Sequence, residues 1–243
     1  MDELDDPRTG LVLEPLRWAL AAVDDGHPYE SVVLEQVPTA LPVWKEVGEA
    51  LRVEGYSVAH GVLSAEEFGV PQTRRRAVLI ARRHGAAALP KAMYRRYRKD
   101  SSVAEGDEGD LALLPWVTMG EALNRDEPFV AVSNYGSGGD PAVRGRRTSD
   151  EPAPTVTGKI NRNRVLTADG AELRRLTPAE AGRLQSFPVD YPWAGKDIFQ
   201  QIGSATPPLL AEHVLSAALD IDHSPAGIRA GGQGEFAARP LGW

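Results

Sequence analysis

A glutamate that directly follows a predicted strand is the first residue whose position could support chemistry. Ser31-Val32-Val33-Leu34 is typical of a short buried strand, of the kind that parallel sheets use, and Glu35 comes next. In open α/β sheets, binding sites form at the carboxyl ends of strands. A carboxyl group there can protonate or hydrogen-bond a ring nitrogen of a substrate. A surface glutamate at the start of a loop is the alternative.

Three consecutive arginines lead into another predicted strand. In the run Gln72-Thr73-Arg74-Arg75-Arg76, strand alternation sends Arg74 and Arg76 to one face and Arg75 to the other. Two guanidinium groups on one face suit a phosphate and a base carbonyl. The alternative is a basic strand edge that blocks aggregation.

The segment 201–208 combines small residues with a double proline. Its pattern, Gln201-x-Gly203-Ser204-x-x-Pro207-Pro208, predicts a constrained backbone that can lie tightly against a ligand. An ordinary transition from a loop to a helix explains the same residues. A second glycine-rich stretch, 136–139, does not stand between a strand and a helix, so we do not expect it to bind a dinucleotide.

Basic residues are concentrated in two regions although the net charge is −7. Residues 72–99 contain ten Lys/Arg and no Asp/Glu, and residues 144–164 contain six Lys/Arg and two acids. Phosphates respond to local charge within a Debye length of about 8–10 Å. These regions therefore predict either contact with nucleic acid or two solvated basic faces. The glycines of 136–139 are followed by Arg144, Arg146 and Arg147. Such an arrangement is typical either of a loop that reads a DNA groove or of a solvated loop.

The elements that would position these residues alternate between α and β. Val43, Val47 and Leu51 recur every four residues, which predicts an amphipathic helix closed by Gly55. Pro15 must lie in the first turn of an earlier helix or kink it. The order predicts an α/β sheet made from helices 11–23 and 42–54 and strands 31–34, 56–59 and 77–81.

The second half of the chain begins with an irregular region. Residues 85–170 hold clusters of Gly, Pro and Ser, which predicts a loop-rich inserted domain. Order returns at Thr177-Pro178-Ala179-Glu180, a capping box with proline at the first helical position. Thr206-Pro207-Pro208 opens a last helix, with Leu210, Val214 and Leu215 predicted on one side.

The composition is that of an ordinary globular protein. Of the 243 residues, 42% are hydrophobic and 25% are charged. There is no cysteine, so disulfides and thiolate metal sites are excluded. No apolar run approaches the roughly 20 residues of a membrane span. The acidic start, residues 1–6, lacks the features of a signal peptide, and we expect a cytoplasmic protein.

In their order and spacing these motifs resemble the later motifs of DNA (cytosine-5)-methyltransferases. Gln72, Arg74 and Arg76 match the family's Gln-x-Arg-x-Arg motif. Glu35-Gln36-Val37 is similar to the family's Glu-Asn-Val motif. Residues 174–188 are similar to the motif that follows the target recognition domain, and residues 201–208 are similar to the final motif. The resemblance covers residues 6–222. The resemblance implies an α/β fold, with a partial S-adenosylmethionine-dependent methyltransferase (Rossmann-like) sheet and an inserted, loop-rich target recognition domain.

The same resemblance implies a division of the chain into four parts. We expect the C-terminal half of the catalytic domain in 1–84, the target recognition domain in 85–172, a returning catalytic segment in 173–222 and a flexible tail in 223–243.

The family mechanism assigns roles to the matched residues. The target cytosine is flipped out of the duplex, a cysteine thiolate attacks C6, and C5 takes a methyl group from S-adenosylmethionine. Glu35 matches the glutamate that holds N3 and the amino group. Arg76 matches the arginine near the cytosine carbonyl and phosphate, with Arg74 supporting it. The segment that closes over the cofactor is matched by Gln201, Gly203 and Ser204.

Double-stranded DNA is the implied partner. Thr155-Val156 resembles the short Thr-Leu or Thr-Val element that the family carries in its target recognition domain. We therefore predict DNA contacts in two loops, at Arg144, Arg146 and Arg147 and at Thr155, Val156 and Lys159.

The chain also departs from the family. It has no Phe-x-Gly-x-Gly cofactor motif and no Pro-Cys loop, and Gln36, Ser204 and Thr206 replace the usual Asn, Asn and Val. We expect an incomplete S-adenosylmethionine site and no methyl transfer by the chain alone. Either a separate N-terminal half completes the enzyme or the gene is truncated. A noncatalytic DNA-binding module, or a remnant of such an enzyme, is the alternative.

Overall fold

The structure of the protein is a computed structural model that describes residues 10–99, 113–125, 127–134 and 145–221. The chain forms two compact units. The first unit contains the described parts of Met1–Leu63, Arg75–Lys91 and Glu212–His223. The second unit contains those of Ser64–Arg74 and Ala92–Ala211. The predicted tail 223–243 and the glycine-rich stretch 136–139 lie outside the described residues.

Six helices and nine strands form the regular structure of the described residues. In chain order they are α1 (Glu14–Asp24), β1 (Ser31–Gln36), α2 (Leu41–Val53), β2 (Ser57–Ser64), β3 (Gln72–Thr73), β4 (Arg75–Arg82), α3 (Met119–Leu123), β5 (Val130–Val132), β6 (Arg146–Thr148), β7 (Ala153–Pro154), β8 (Arg164–Leu166), β9 (Glu172–Leu173), α4 (Pro178–Leu184), α5 (Ile198–Ser204) and α6 (Pro208–Leu219).

The first unit is built on a three-stranded sheet with the order β1-β4-β2. Strand β1 runs antiparallel to β4, with Ser31 opposite Arg82 and Gln36 opposite Ala77. The parallel arrangement suggested by the apolar run 31–34 is therefore wrong for this pair. An apolar run signals burial but carries no information about strand direction, which the connections between strands decide.

Helices α1 and α2 pack on one face of this sheet. Their buried residues Ala19, Trp44 and Leu51 share a core with Leu34 of β1 and Leu79 of β4. The four-residue spacing of α2 that predicted an amphipathic helix is confirmed, since Val47 and Leu51 are also buried. This packing fixes where β1 ends and therefore where Glu35 lies.

The second unit contains a four-stranded sheet with the order β6-β5-β8-β9, and β3 pairs in parallel with β7. All neighbours in the larger sheet are antiparallel. Helices α3, α4 and α5 contribute Met119, Leu184 and Ile202 to a core that also holds Phe129 and Val165.

The division into four parts stays a prediction, and the two compact units group the segments in another way. Residues 173–211 belong to the same unit as the loop-rich region, and the change near 84 falls instead between Lys91 and Ala92. The reason is that Leu184 and Ile202 complete the core of the loop-rich region. Sequence composition separates regular from irregular segments, but packing decides which segments share a core.

Helix boundaries were predictable where local signals are strong. The capping box of Thr177 and Glu180, with Pro178 following the cap, is confirmed at the start of α4. In α6, Leu210 and Val214 are buried as predicted, whereas Leu215 is exposed. Within the described part of the chain, the helices are too short or too polar to cross a lipid bilayer.

Candidate functional site

Glu35 and Arg76 form an ion pair at the end of β1. The guanidinium Nε of Arg76 lies 2.7 Å from Oε1 of Glu35. Glu35 is opposite Val78 in the antiparallel register, so Arg76 is its diagonal neighbour on the same face. The arginine side chain is 14% exposed and that of the glutamate is 30% exposed. The two residues that the sequence assigned to a base-binding site are thus in direct contact.

Arg76 fixes the orientation of the Glu35 carboxylate. Burial lowers the pKa of Arg76, and the neighbouring Glu35 opposes that shift. A guanidinium nevertheless remains charged at any ordinary pH. Arg76 also donates through Nη1 to the backbone carbonyl of Arg75 at 2.8 Å, which fixes its side chain. Glu35 is therefore held in one direction while part of its side chain stays exposed to solvent.

Arg74 does not share a face with Arg76, in contrast to the prediction. It precedes β4 and belongs to the second unit, where its side chain is buried. Its guanidinium donates to the backbone carbonyls of Val156, Gly203 and Ala205 at 2.9, 3.0 and 3.3 Å. A planar group with five N–H donors suits several converging carbonyls, which explains why an arginine is stable at this buried position.

Gln72 extends the same buried network. Its amide Nε2 donates to the carbonyl of Leu184 and to Oε1 of Gln185, at 2.8 and 2.7 Å. Its Oε1 accepts from the backbone N–H of Val156 at 2.9 Å. Gln185 in turn donates to the carbonyl of Ile202 at 2.7 Å. Both glutamines are fully buried, and their polar atoms are paired as burial requires.

This network joins three segments that the sequence treated as separate motifs. Arg74 connects the predicted DNA element at Val156 with the predicted cofactor segment at Gly203. Gln185, directly after α4, was not among the site residues predicted from the sequence.

The segment predicted to contact a cofactor is helical. Gln201, Gly203 and Ser204 lie in α5, because Ile198, Phe199 and Ile202 pack on the core of the second unit. A helix was not predicted here, where the sequence suggested a constrained backbone or a transition from a loop to a helix. The spacing of these three apolar residues is that of a helix face, so the signal was present in the sequence.

Gly203 lies tightly against the chain itself. A Cβ atom at this position would overlap the backbone of Thr157 and Gly158. The Gln201 amide donates to the carbonyls of Ala194 and Lys196 at 2.9 and 3.0 Å. The hydroxyl of Ser204 accepts from the Gln200 amide at 3.0 Å. The close approach expected for a ligand is thus made by protein backbone.

These placements do not form a cradle for S-adenosylmethionine. The amide of Gln201 and the hydroxyl of Ser204 already bond within the chain, and Gly203 faces Thr157 and Gly158. These three residues therefore do not fit the cofactor by themselves.

The predicted DNA contacts near β6 divide into two kinds. Arg146 is exposed on the strand. Arg147 is half-buried, with its guanidinium 4.0 Å from the ring centre of Tyr97 and 3.8 Å from a carboxylate oxygen of Glu151. Arg144 lies outside the described residues. Arg147 is thus engaged within the unit, and Arg146 is the described member of this group that faces solvent.

The second predicted DNA loop divides in the same way. Val156 is fully buried and bonded on both sides by Gln72 and Arg74. Thr155 is exposed, and its hydroxyl donates to the carbonyl of Thr73 at 2.8 Å. Lys159 is exposed. The structure therefore gives Val156 a packing and hydrogen-bonding role, which its apolar side chain could have suggested.

A buried acid in the second unit is not explained by any of the motifs. Glu66 is 3% exposed and follows β2 in a short 3-10 turn. Burial raises the pKa of Glu66 to about 7. The backbone N–H of Glu66 and the nearby Arg96 and Arg147 oppose this shift, and Glu67 adds to it.

Replacing Glu66 with glutamine should stabilise the protein at alkaline pH. Its folded pKa of about 7 lies above the ordinary 4.5, so ionisation favours the unfolded chain as pH rises between these values. The gain at pH 8 should be on the order of 3 kcal/mol and much smaller at pH 5. Urea unfolding at both pH values measures it. An equal gain at both would mean that ionisation of Glu66 is not the cause.

Comparisons with known proteins agree with the motifs. Residues 38–219 match the family model described as C-5 cytosine-specific DNA methylase. The chain is 30% identical over 237 residues to the Type II methyltransferase M1.HphI of Haemophilus parahaemolyticus, covering 90% of this chain and 63% of that protein. It is 31% identical over 193 residues to M.HgiDI of Herpetosiphon aurantiacus, covering 74% and 57%. The chain thus spans roughly three fifths of the length of these relatives.

Solved structures show the same fold. The methyltransferase EhMeth of Entamoeba histolytica superimposes with a TM-score of 0.54 at 16% identity, over 89% of this chain and 70% of that one. The Dnmt2 methyltransferase of S. pombe gives a TM-score of 0.54 at 19% identity, over 90% and 73%. With the motif order and the family match over most of its length, the chain belongs to the C-5 cytosine-specific DNA methylase family.

Proposed function

We propose that this chain is the base-holding and DNA-recognising part of a DNA cytosine-5 methyltransferase, acting in the cytoplasm as part of a restriction-modification system. The nucleophile comes from a second polypeptide that corresponds to the N-terminal part of the relatives. The absence of cysteine from the 243 residues supports this division. S-adenosylmethionine supplies the methyl group, and polypeptide outside this chain completes its pocket.

The Glu35–Arg76 ion pair is the observation that carries the proposal. A carboxylate at the end of a strand, oriented by an arginine at 2.7 Å and partly accessible, can hold the N3 and amino edge of an extruded cytosine. A site that holds a reacting base needs side chains whose orientation is fixed by their neighbours. Glu35 therefore acts on the substrate, and Arg76 holds Glu35 and lies at the edge of the same site.

DNA recognition falls to exposed residues of the second unit. We assign contacts with DNA to Arg146, Thr155 and Lys159, with Arg144 as a further member of the first loop. Arg74 and Val156 act differently, since they hold the loop at 155–159 in place from within the buried network. Gly203 permits the close approach of α5 to the same loop.

A noncatalytic DNA-binding module is the second candidate function. The specific observation in its favour is that Gln72 and Arg74, residues of a catalytic-domain motif, serve a buried structural network here. Such a module would keep the fold and DNA binding while no partner restores methyl transfer.

The purified chain alone should transfer no methyl group from labelled S-adenosylmethionine to duplex DNA. The reason is the missing thiolate, without which C6 of cytosine is not attacked. Purified M1.HphI methyltransferase, assayed on DNA with its own target site, is the positive control. Incorporation of label by the chain alone, proportional to its concentration, would overturn the proposed division of labour.

A further inference from the structure

A short basic segment of the second unit is not used by any motif. The segment comprises residues 94–99, and Tyr94 at its start forms a parallel β-bridge with Leu114. The backbone N–H of Arg95 donates to the carbonyl of Leu114 at 2.7 Å. The N–H groups of Met93 and Tyr94 both donate to the carbonyl of Glu67, at 3.0 and 3.1 Å. The segment is therefore fixed by its backbone.

Tyr97 anchors the middle of the segment to the unit. Its hydroxyl donates to the carboxylate of Glu151, and its ring meets that of Trp116 edge to face at 5.4 Å. The Arg147 guanidinium covers the same ring at 4.0 Å. Tyr97 is therefore held on several sides.

Three cations of the segment are exposed to solvent. Arg96, Arg98 and Lys99, which we call the basic row, are all exposed. They close the 28-residue stretch 72–99, which contains ten Lys/Arg and no Asp/Glu. Positive charge is thus exposed on either side of the anchored Tyr97.

We propose that the basic row contacts the phosphate backbone of double-stranded DNA. Phosphates are the usual partners of exposed arginines and lysines on DNA-binding proteins, and such contacts fix register without reading sequence. The inference rests on the proposed function and adds a surface to it. It also gives Arg147 a positioning role, since this arginine holds Tyr97 and so orients the row.

The test compares a triple variant, Arg96→Ala with Arg98→Ala and Lys99→Ala, with the parent chain in binding to duplex DNA. The affinity should fall roughly tenfold or more at moderate salt, and the slope of log K against log salt should shrink by about 0.9 for each lost phosphate contact. The loss should be equal for duplexes of different sequence. A matched control, Arg17→Ala with Lys45→Ala and Arg52→Ala, removes the same charges from exposed positions on α1 and α2.

The outcomes separate this inference from the proposed function. An unchanged salt slope, or an equal loss of affinity in the control variant, would overturn the assignment of phosphate contacts to the basic row while leaving the proposed function intact. Failure of the parent chain to bind duplex DNA would overturn both. Tighter binding to duplex RNA than to duplex DNA would overturn the assignment of the partner. Urea unfolding of each variant confirms that the fold is retained.

Discussion

Replacing Glu35 with glutamine should reduce methyl transfer by about a hundredfold or more, measured with the N-terminal polypeptide present. Removal of a positioned acid or base typically costs 10²–10⁴ in rate. Glutamine keeps the size of the side chain but removes the carboxylate that pairs with Arg76 at 2.7 Å. DNA binding should be nearly unchanged, because the predicted DNA contacts lie in the second unit.

A matched control separates this effect from loss of structure. Glu46→Gln changes an exposed glutamate on α2 in the same unit and should leave turnover unchanged. The ion pair is partly exposed, so Glu35→Gln should cost only about 1 kcal/mol of unfolding free energy. If turnover is the same in Glu35→Gln and the parent, Glu35 takes no part in the reaction.

Replacing Arg74 with alanine should have the largest effect on stability. The change removes a buried donor group from the carbonyls of Val156, Gly203 and Ala205 and leaves a cavity. Each buried polar group left unpaired costs about 1–3 kcal/mol. The total, about 3–5 kcal/mol, is a large part of the 5–15 kcal/mol that is typical for folded proteins. Urea unfolding measures the loss.

The adjacent arginine provides the control for this prediction. Arg75 is exposed, and Arg75→Ala should shift the unfolding free energy by less than about 0.5 kcal/mol. Arg74→Lys should fall between the two, since one ammonium group cannot reach all three carbonyls. Equal midpoints for Arg74→Ala and Arg75→Ala would mean that the buried network contributes little to stability.

Local signals in the sequence predicted local structure well. The capping box at Thr177 and the amphipathic pattern of α2 depend on neighbours within one or two helical turns, and both are confirmed. Helix α5 was missed because its small residues and the following prolines suggested a loop. Its helical spacing at Ile198, Phe199 and Ile202 was the stronger signal.

The roles of polar residues could not be predicted in the same way. Arg74 and Arg76 are identical side chains two residues apart, yet one is buried among carbonyls and the other pairs with Glu35. Which carbonyls converge on a position depends on segments far apart in the sequence, such as 156 and 203 for Arg74. The same dependence placed Val156 in the interior rather than at a DNA surface.

The most direct test of the central claim is complementation. The chain is mixed with a separately expressed polypeptide that carries the part of M1.HphI methyltransferase that this chain does not cover, and transfer of labelled methyl groups to duplex DNA is measured. Transfer should occur only when both polypeptides are present, and it should be lost when the chain carries Glu35→Gln. Transfer by the chain alone, at a rate that the second polypeptide does not change, would contradict the proposed division between two polypeptides.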